Sequence, residues 1–197
     1  MPRIIEPVTA EDFVLMVQDG QKADLLDGVI YMASPDSPEA AELNVFLLGV
    51  LNSFVRKLRL GKIYGPRSAF RHSKTYAPEP DLAFVKKDRL HLWRGSMFQG
   101  APDVAVEIVT RDSIERDTKT KRGTYEQAGV SEYWLINLIE NRCVFLRLEG
   151  EKYQEVPLQA GSVFRSHTIP GFWLDTAWLF ADELPPPDEC LEKILRA

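Results

Sequence analysis

Two acidic residues stand out because each is set in an apolar segment. Asp81 opens the run Asp81-Leu-Ala-Phe-Val85, and Glu107 lies inside Asp103-Val-Ala-Val-Glu-Ile-Val109. A strand that is apolar on both sides is typical of a covered, central position. A carboxylate there should be paired, protonated or bound to a cation. Two such groups on one sheet suit Mg²⁺, which takes oxygen ligands and needs only one or two carboxylates besides water and substrate phosphate.

Each acid also has a structural explanation. An acid at the start of a strand is often a turn residue, and a buried glutamate can form an ion pair with a nearby Lys or Arg. The following segment favours a site, because Asp117, Lys121 and Tyr125 are spaced four apart and share one face of a predicted helix. The alternative is an ordinary Asp117–Lys121 surface pair with Tyr125 at the edge of the core.

Composition and length bound the fold. The chain has 197 residues, of which 45% are hydrophobic and 27% charged, as in an ordinary globular protein. Its apolar runs are too short to cross a bilayer, and Met1–Glu6 lacks the features of a signal peptide. No organic cofactor is expected, because no phosphate-binding glycine loop appears. The two cysteines, Cys143 and Cys190, are widely separated and lack metal-ligand spacing, so we expect neither a disulfide framework nor a zinc site, and a reducing, cytoplasmic location fits best. The histidines His72, His91 and His167 form no metal-ligand spacing either.

The order of predicted elements is that of an α/β protein with a central mixed sheet flanked by helices. We expect one domain over residues 1–197, with an acidic C-terminal tail at 181–197. The predicted helices are Thr9–Val17, Glu39–Leu58, Glu115–Ala128 and Asp188–Leu195, and the predicted strands are Asp24–Met32 (a hairpin turning at Asp27-Gly28), Lys62–Arg71, Asp81–Val85, Asp103–Val109, Tyr133–Asn137, Arg142–Leu148 and Lys152–Pro157.

Charge is distributed unevenly along the chain, although the net charge is only −5. The segment Asn52–Lys74 contains seven basic residues and no acidic one. The first three of them end the long helix and complement its dipole, which is as good an explanation as contact with DNA. The remaining four lie beyond the helix and are predicted to contact DNA phosphates; they are Lys62, Arg67, Arg71 and Lys74.

A set of short motifs follows in a fixed order from about Thr9 to Phe180. In these motifs and their order, the chain resembles the Uma-two-type restriction-endonuclease family of the PD-(D/E)XK nuclease superfamily. The motifs are Asp24-Leu-Leu-Asp-Gly28, Met32-Ala-Ser-Pro35, Pro80-Asp81, Gly100-Ala-Pro-Asp-Val104 with Val106-Glu107, Asp117-x-x-x-Lys121-x-x-x-Tyr125, Gly129-Val-x-Glu-Tyr-Trp134 and Ile169-Pro170-Gly171.

The resemblance implies a restriction-endonuclease-like fold and metal-dependent cleavage of DNA. It implies Asp81, Glu107 and the backbone carbonyl of Ile108 as ligands of Mg²⁺ or Mn²⁺, with Asp24 as a third acid. It implies Lys121 as the catalytic cation, supported by the other two residues of its helical motif, Asp117 and Tyr125. A homodimer is the corresponding expectation, because nucleases of this superfamily that cut both strands commonly act in pairs.

Two departures from the family pattern favour a second hypothesis. The superfamily lysine would stand two residues after Glu107, where this chain has Val109, and the long helix begins Glu39-Ala-Ala-Glu42 without the histidine found in many members. Asp24 also stands where glutamate is usual. The main alternative is therefore a catalytically inactive nuclease fold that binds DNA or a protein. A third hypothesis is a structural or oligomerising domain, which the acidic tail favours.

Overall fold

The computed structural model describes residues 6–17 and 21–196. The sequence predicts no signal peptide at Met1–Glu6, and most of that segment lies outside the described residues. Within the described ranges, no helix is long and apolar enough to cross a membrane. The helices and strands follow one another as α1 (Ala10–Met16), β1 (Ala23–Leu26), β2 (Val29–Met32), α2 (Pro38–Lys57), β3 (Gly61–Tyr64), β4 (Ala69–Arg71), β5 (Leu82–Lys86), β6 (Trp93–Arg94), β7 (Met97–Gln99), β8 (Val104–Val109), α3 (Arg122–Gln127), β9 (Glu132–Asn137), β10 (Arg142–Glu149), β11 (Lys152–Glu155), β12 (Val163–Arg165), β13 (Trp173–Asp175) and α4 (Pro187–Arg196).

A six-stranded sheet in the order β11-β10-β9-β8-β5-β3 forms the centre of the fold. Strands β8 and β9 are parallel, whereas the other neighbouring pairs are antiparallel. The sheet is therefore mixed, and helices accompany it, as the sequence predicts. Every residue of β8 is buried, in agreement with its nearly continuous apolar sequence.

Helix α2 covers one face of this sheet. Ser37 caps its first turn by accepting a hydrogen bond from the Ala40 N–H. Its apolar stripe, from Leu43 to Val55, packs with alternate residues of β5 and β8 in the largest core cluster. Helix α4 packs against α2. Cys190 and Ile194 of α4 are buried in this cluster, whereas the acidic residues of the C-terminal segment are exposed.

Strands β1 and β2 form the predicted hairpin, with Asp27 and Gly28 in its turn. Both residues have positive φ values, 49° and 72°, as a tight two-residue hairpin turn requires. A Cβ atom on Gly28 would lie 2.4 Å from Pro7 Cβ, so the position requires glycine for space as well as for its backbone. An isolated antiparallel β-bridge between Leu25 and Ala77 joins the hairpin, which includes Asp24, to the segment before β5.

Two sequence predictions are wrong in detail. The single strand expected over Lys62–Arg71 is divided into β3 and β4, which belong to different sheets. The break occurs at Pro66 and Arg67, because proline has no N–H to donate and Arg67 adopts a φ of 65°. The helix expected over Glu115–Ala128 is interrupted by a π-helical segment, Arg116–Lys121, ahead of α3.

Several short elements were not predicted. Strands β4, β7 and β6 form a small three-stranded sheet, and β12 pairs with β13. A 3-10 helix, Lys87–Leu92, connects β5 to β6. These strands have two or three residues each, which is too short for an alternating pattern to be visible in the sequence.

Candidate functional site

Asp81 and Glu107 lie opposite each other on neighbouring strands. The last paired residues of β5 and β8 are Leu82 and Val106, and the two acids occupy the next position of the same antiparallel register. Side chains at such positions lie on the same face of a sheet, with Cβ atoms about 4.5–5.5 Å apart. Asp81 Oδ2 also accepts a hydrogen bond of 2.7 Å from the N–H of Ile108. The sheet itself therefore brings the two predicted acids together.

Lys121 is the cation of this cluster and is 1% exposed. Its Nζ lies 2.9 Å from Glu107 Oε1, 2.9 Å from Asp24 Oδ2 and 3.6 Å from Asp117 Oδ1. The Asp117–Lys121 pair is thus buried and joined to two further acids, unlike an ordinary surface pair. The hydroxyl of Tyr125 donates to Glu107 Oε1 at 3.1 Å. All the residues that the sequence predicts around Lys121 therefore meet in one cluster.

Asp117 and Lys121 lie in the π-helical segment, four residues apart. Such wide turns are rare and occur frequently at functional sites. The hydroxyl of Tyr133, on β9, donates to the carbonyl oxygen of Asp117 at 2.9 Å and so stabilises this turn from the sheet. The two buried side chains of the segment are Asp117 and Lys121.

Asp24 is fixed by a reciprocal contact between the hairpin and the segment before β5. The N–H of Glu79 donates to Asp24 Oδ1 at 2.8 Å, and Glu79 Oε2 accepts from the N–H of Ala23 at 3.1 Å. Burial raises the pKa of Glu79 to about 7, against the hydrogen bond from Ala23. This clamp makes Asp24 a fixed member of the cluster.

The sequence analysis missed three charged residues of the cluster: Lys22, Glu79 and Arg116. Lys22 Nζ donates to Asp81 Oδ1, and Arg116 Nε lies 3.4 Å from Asp24 Oδ2. A signal for two of them was present, because Lys22 precedes Asp24 by two positions and Glu79 precedes Asp81 by two. In extended chain, residues two apart point to the same side. Arg116 gave no such signal, because its partner Asp24 is distant in the sequence.

Burial and charge act in opposite directions within the cluster. Burial raises the pKa of Glu107, and the neighbouring ammonium group of Lys121 opposes this shift. Burial lowers the pKa of Lys121, but the attraction of Asp24 and Glu107 outweighs it, so the pKa lies well above its ordinary value. These neighbouring acids therefore favour the charged form of Lys121. The pKa of Lys22 is also raised, because Asp81 and Glu107 together outweigh its burial.

The cluster opens on a small polar pocket of about 40 Å³. The backbone around Pro35 forms one side, and the loop after β8 forms the other. Both predicted ligand strands reach it, and so does the amino group of Lys121. The lining residues are Lys22, Ala33, Ser34, Pro35, Asp36, Asp81, Glu107, Ile108, Thr110, Asp112, Ser113, Arg116, Asp117 and Lys121.

The residues suit a divalent cation such as Mg²⁺, which keeps several water ligands, better than a metal whose ligands all come from the protein. Among the described residues, no group of three or more His, Cys, Asp or Glu side chains is arranged as a ready ligand set. Asp81 and Glu107 nevertheless face one pocket, and Asp117 Oδ1 is buried without a hydrogen bond. Acidic side chains also outnumber basic side chains in the cluster. The acids are Asp24, Glu79, Asp81, Glu107 and Asp117, and the bases are Lys22, Arg116 and Lys121.

The basic residues predicted to contact DNA lie outside this pocket. Lys62 is on the edge strand β3, in a separate groove with Arg56, Arg59 and Lys87. Arg71 is half-buried and forms an ion pair with a glutamate of α1. The remaining two predicted DNA-binding residues, Arg67 and Lys74, are exposed. The structure thus brings the predicted catalytic and metal-binding residues together, whereas the predicted DNA-binding residues lie outside their pocket.

The mixed sheet, its flanking helices and the acidic cluster define a restriction-endonuclease-like fold. A solved structure from Anabaena variabilis ATCC 29413, described as "a putative nuclease belonging to DUF820", is similar to this chain with a TM-score of 0.75. The two chains are 17% identical, and the match covers 88% of this chain and 98% of that one. No match was found among curated protein sequences.

Residues 10–177 match the Uma2 family, which is described as "Putative restriction endonuclease". Because the match spans most of the sequence, the chain belongs to this family. The family resemblance seen in the ordered motifs is thereby confirmed. Membership places the protein in a family of the restriction-endonuclease type.

Proposed function

We propose that this protein is a DNA endonuclease that hydrolyses phosphodiester bonds with water activated by Mg²⁺ or Mn²⁺. The observation that carries the proposal is the position of Asp81 and Glu107, opposite each other on one polar pocket, with the buried ammonium group of Lys121 beside them. Family membership supports the nuclease class.

In this proposal Asp81 and Glu107, with the backbone carbonyl of Ile108, hold the ion, and Asp24 contributes a further carboxylate to the cluster. An ion held by these residues would supply a water of lowered pKa and would offset charge on the phosphate. Lys121 lines the pocket as a fixed cation and offsets negative charge that develops on phosphate oxygens.

Two further residues act on the orientation of these groups. Asp117 holds the ammonium group of Lys121 from within the same helix. The hydroxyl of Tyr125 holds Glu107 Oε1. Lys121 thereby replaces the superfamily lysine absent at Val109: it reaches Glu107 from the helix, whereas a lysine in the strand would reach it from position 109.

Binding of the proposed substrate, DNA, requires basic surface on the protein. Lys62, Arg67 and Lys74 are exposed and available to phosphates, whereas Arg71 must first release Glu11. Binding to phosphates releases counter-ions, so affinity should fall steeply as salt rises. Neutralising Lys62 and Arg67 together should reduce the slope of log affinity against log salt by about 2. An unchanged slope would remove them from the interface.

A nuclease assay with supercoiled, linear and single-stranded DNA in Mg²⁺ or Mn²⁺ tests the catalytic proposal. We expect cleavage by the wild type that is lost in Asp81→Ala and abolished by EDTA. Asp88→Ala, in the exposed 3-10 helix after β5, is the matched control and should cleave normally. Equal behaviour of the wild type and Asp81→Ala on all substrates would rule out this site.

The second candidate is an inactive nuclease fold that binds DNA or a protein. It is favoured by the contacts of the two acids, because Asp81 is already paired with Lys22 and Glu107 with Lys121. Calorimetry separates the two candidates. The inactive form predicts no Mn²⁺ binding that depends on Glu107, whereas the endonuclease predicts binding that Glu107→Gln removes.

We also propose a homodimer, since cleavage of both strands by one site per chain is most direct when two copies act together. Sedimentation equilibrium with and without a DNA duplex tests this. A monomer under both conditions would leave an enzyme that cuts single strands.

A further inference from the structure

Lys22 contacts Asp81, one of the two carboxylates of the candidate site, immediately before β1. The two oxygens of Asp81 have different partners: Oδ2 accepts from the Ile108 N–H at 2.7 Å, and Oδ1 accepts from Lys22 Nζ. The first partner is backbone of a central strand and is fixed. The second is the end of a flexible side chain. Any cation that binds Asp81 through Oδ1 must therefore compete with the ammonium group of Lys22.

The two lysines of the cluster differ in how firmly they are held. Lys121 is 1% exposed and lies within ion-pair distance of Asp24, Glu107 and Asp117. Lys22 has one ion-pair partner among the described residues, and 21% of its side chain is exposed. Lys121 would leave several buried acids uncompensated if it moved. Lys22 can exchange Asp81 for water at the mouth of the pocket.

We propose that Lys22 is a displaceable counter-ion of the metal site, an inference that rests on the proposed metal-dependent function. Without metal, Lys22 neutralises Asp81 and limits repulsion among the clustered acids. When a divalent cation binds, the ammonium group leaves Oδ1 and turns to solvent. Because the cation must displace a favourable ion pair, the pair lowers metal affinity while it stabilises the metal-free protein.

The test measures metal binding and metal-free stability together, on the full chain. For Lys22→Met we expect Mn²⁺, titrated calorimetrically, to bind about tenfold more tightly, which corresponds to ~1.4 kcal/mol. We expect the same variant to unfold at a lower temperature than wild type in EDTA. Lys22→Arg keeps the charge and should retain wild-type affinity. Lys22→Gln provides a second neutral variant should Lys22→Met fold poorly.

Lys119→Met is the matched control, because it removes the same charge from an exposed lysine of the π-helical segment. It should change neither measurement. Unchanged or weaker Mn²⁺ binding by both neutral Lys22 variants overturns the proposal. Asp81→Asn then separates the two levels: if it abolishes binding, the metal site stands without the counter-ion, and if it binds like wild type, the metal site fails as well. Binding by Lys22→Met but not by wild type would support the proposal in its strongest form.

Discussion

Two glutamates on neighbouring parallel strands, Glu107 of β8 and Glu132 of β9, are equally buried but differ in their partners. Their exposed fractions are 1% and 0%. Glu132 accepts hydrogen bonds at both oxygens from neutral donors, and these donors connect the loop before β13 to the central sheet. The donors are Trp134 Nε1, Ser166 Oγ and the backbone N–H groups of His167 and Thr168, at distances of 2.6–3.1 Å.

Glu107 is bound differently. Its two hydrogen bonds, from Lys121 and Tyr125, both end on Oε1, and the residue lines the polar pocket opposite Asp81. A carboxylate surrounded by fixed neutral donors has no partner to exchange, so its role is to join parts of the structure. A carboxylate held by a cation and facing a pocket can take a further ligand. Burial alone does not distinguish the two roles; the kind of donor and the access to a pocket do.

The largest expected difference is in catalysis. Glu107→Gln keeps an oxygen to accept from Lys121 and Tyr125 but removes the charge that would hold the metal. We expect DNA cleavage to fall at least about a thousandfold, or ~4 kcal/mol in transition-state stabilisation. In EDTA the free energy of unfolding should change by less than about 1 kcal/mol, because the cluster contains an excess of acids.

Glu115→Gln is the control for this variant, since Glu115 is an exposed acid immediately before the π-helical segment. Initial cleavage rates and urea unfolding curves provide the two measurements. Retention of more than a tenth of the wild-type rate by Glu107→Gln would show that this glutamate does not hold the catalytic ion.

Lys121→Met should have the largest effect on stability within the site. It leaves Asp24, Glu107 and Asp117 buried without their shared cation, and removal of one partner of a buried ion pair costs about 3–5 kcal/mol. Urea unfolding in EDTA measures the loss, with Lys119→Met as the exposed control. A loss no larger than that of the control would mean that the acids are neutralised in another way.

Part of the fold was predictable because local patterns were long or specific. The stripe of α2 and the turn at Asp27-Gly28 determine their elements from nearby sequence alone. The break between β3 and β4 was missed because the single proline at position 66 was outweighed by the apolar residues around it. Strands of two or three residues were missed because they are stabilised by tertiary pairing and carry no period of their own.

The site was predictable where chemistry and sequence order coincide. Asp81 and Glu107 were predicted from burial and motif order and Lys121 mainly from the family resemblance, and the structure brings all three into one candidate site. Arg116 was missed because its partner Asp24 is distant in sequence, and Lys22 was missed although it lies two positions before Asp24, because its own partner Asp81 is also distant. Glu132 illustrates the opposite case: it lies within a family motif, yet its contacts are those of a structural residue.

For Glu132→Gln we expect a loss of stability of about 3 kcal/mol and no specific effect on catalysis. The NH₂ group of the glutamine would face hydrogen-bond donors where a carboxylate oxygen now accepts from them. In addition, each hydrogen bond to a charged group contributes about 1.5–3 kcal/mol, and the charge is lost. The measurement is urea unfolding, followed by cleavage rates normalised to the folded fraction. A normalised rate that falls as far as that of Glu107→Gln would contradict the division between the two glutamates.

The smallest expected effect tests one donor of the Glu132 group. Ser166 Oγ donates to Glu132 Oε2 at 2.8 Å and accepts from the N–H of Ile169 at 2.9 Å. Ser166→Ala removes both contacts, but the carboxylate retains its other donors, so we expect a loss of about 1 kcal/mol. Ser73→Ala, at an exposed serine, is the control. If Ser166→Ala costs as much as Glu132→Gln, the donors act as one cooperative unit; additive, smaller losses mean that each stabilises the loop separately.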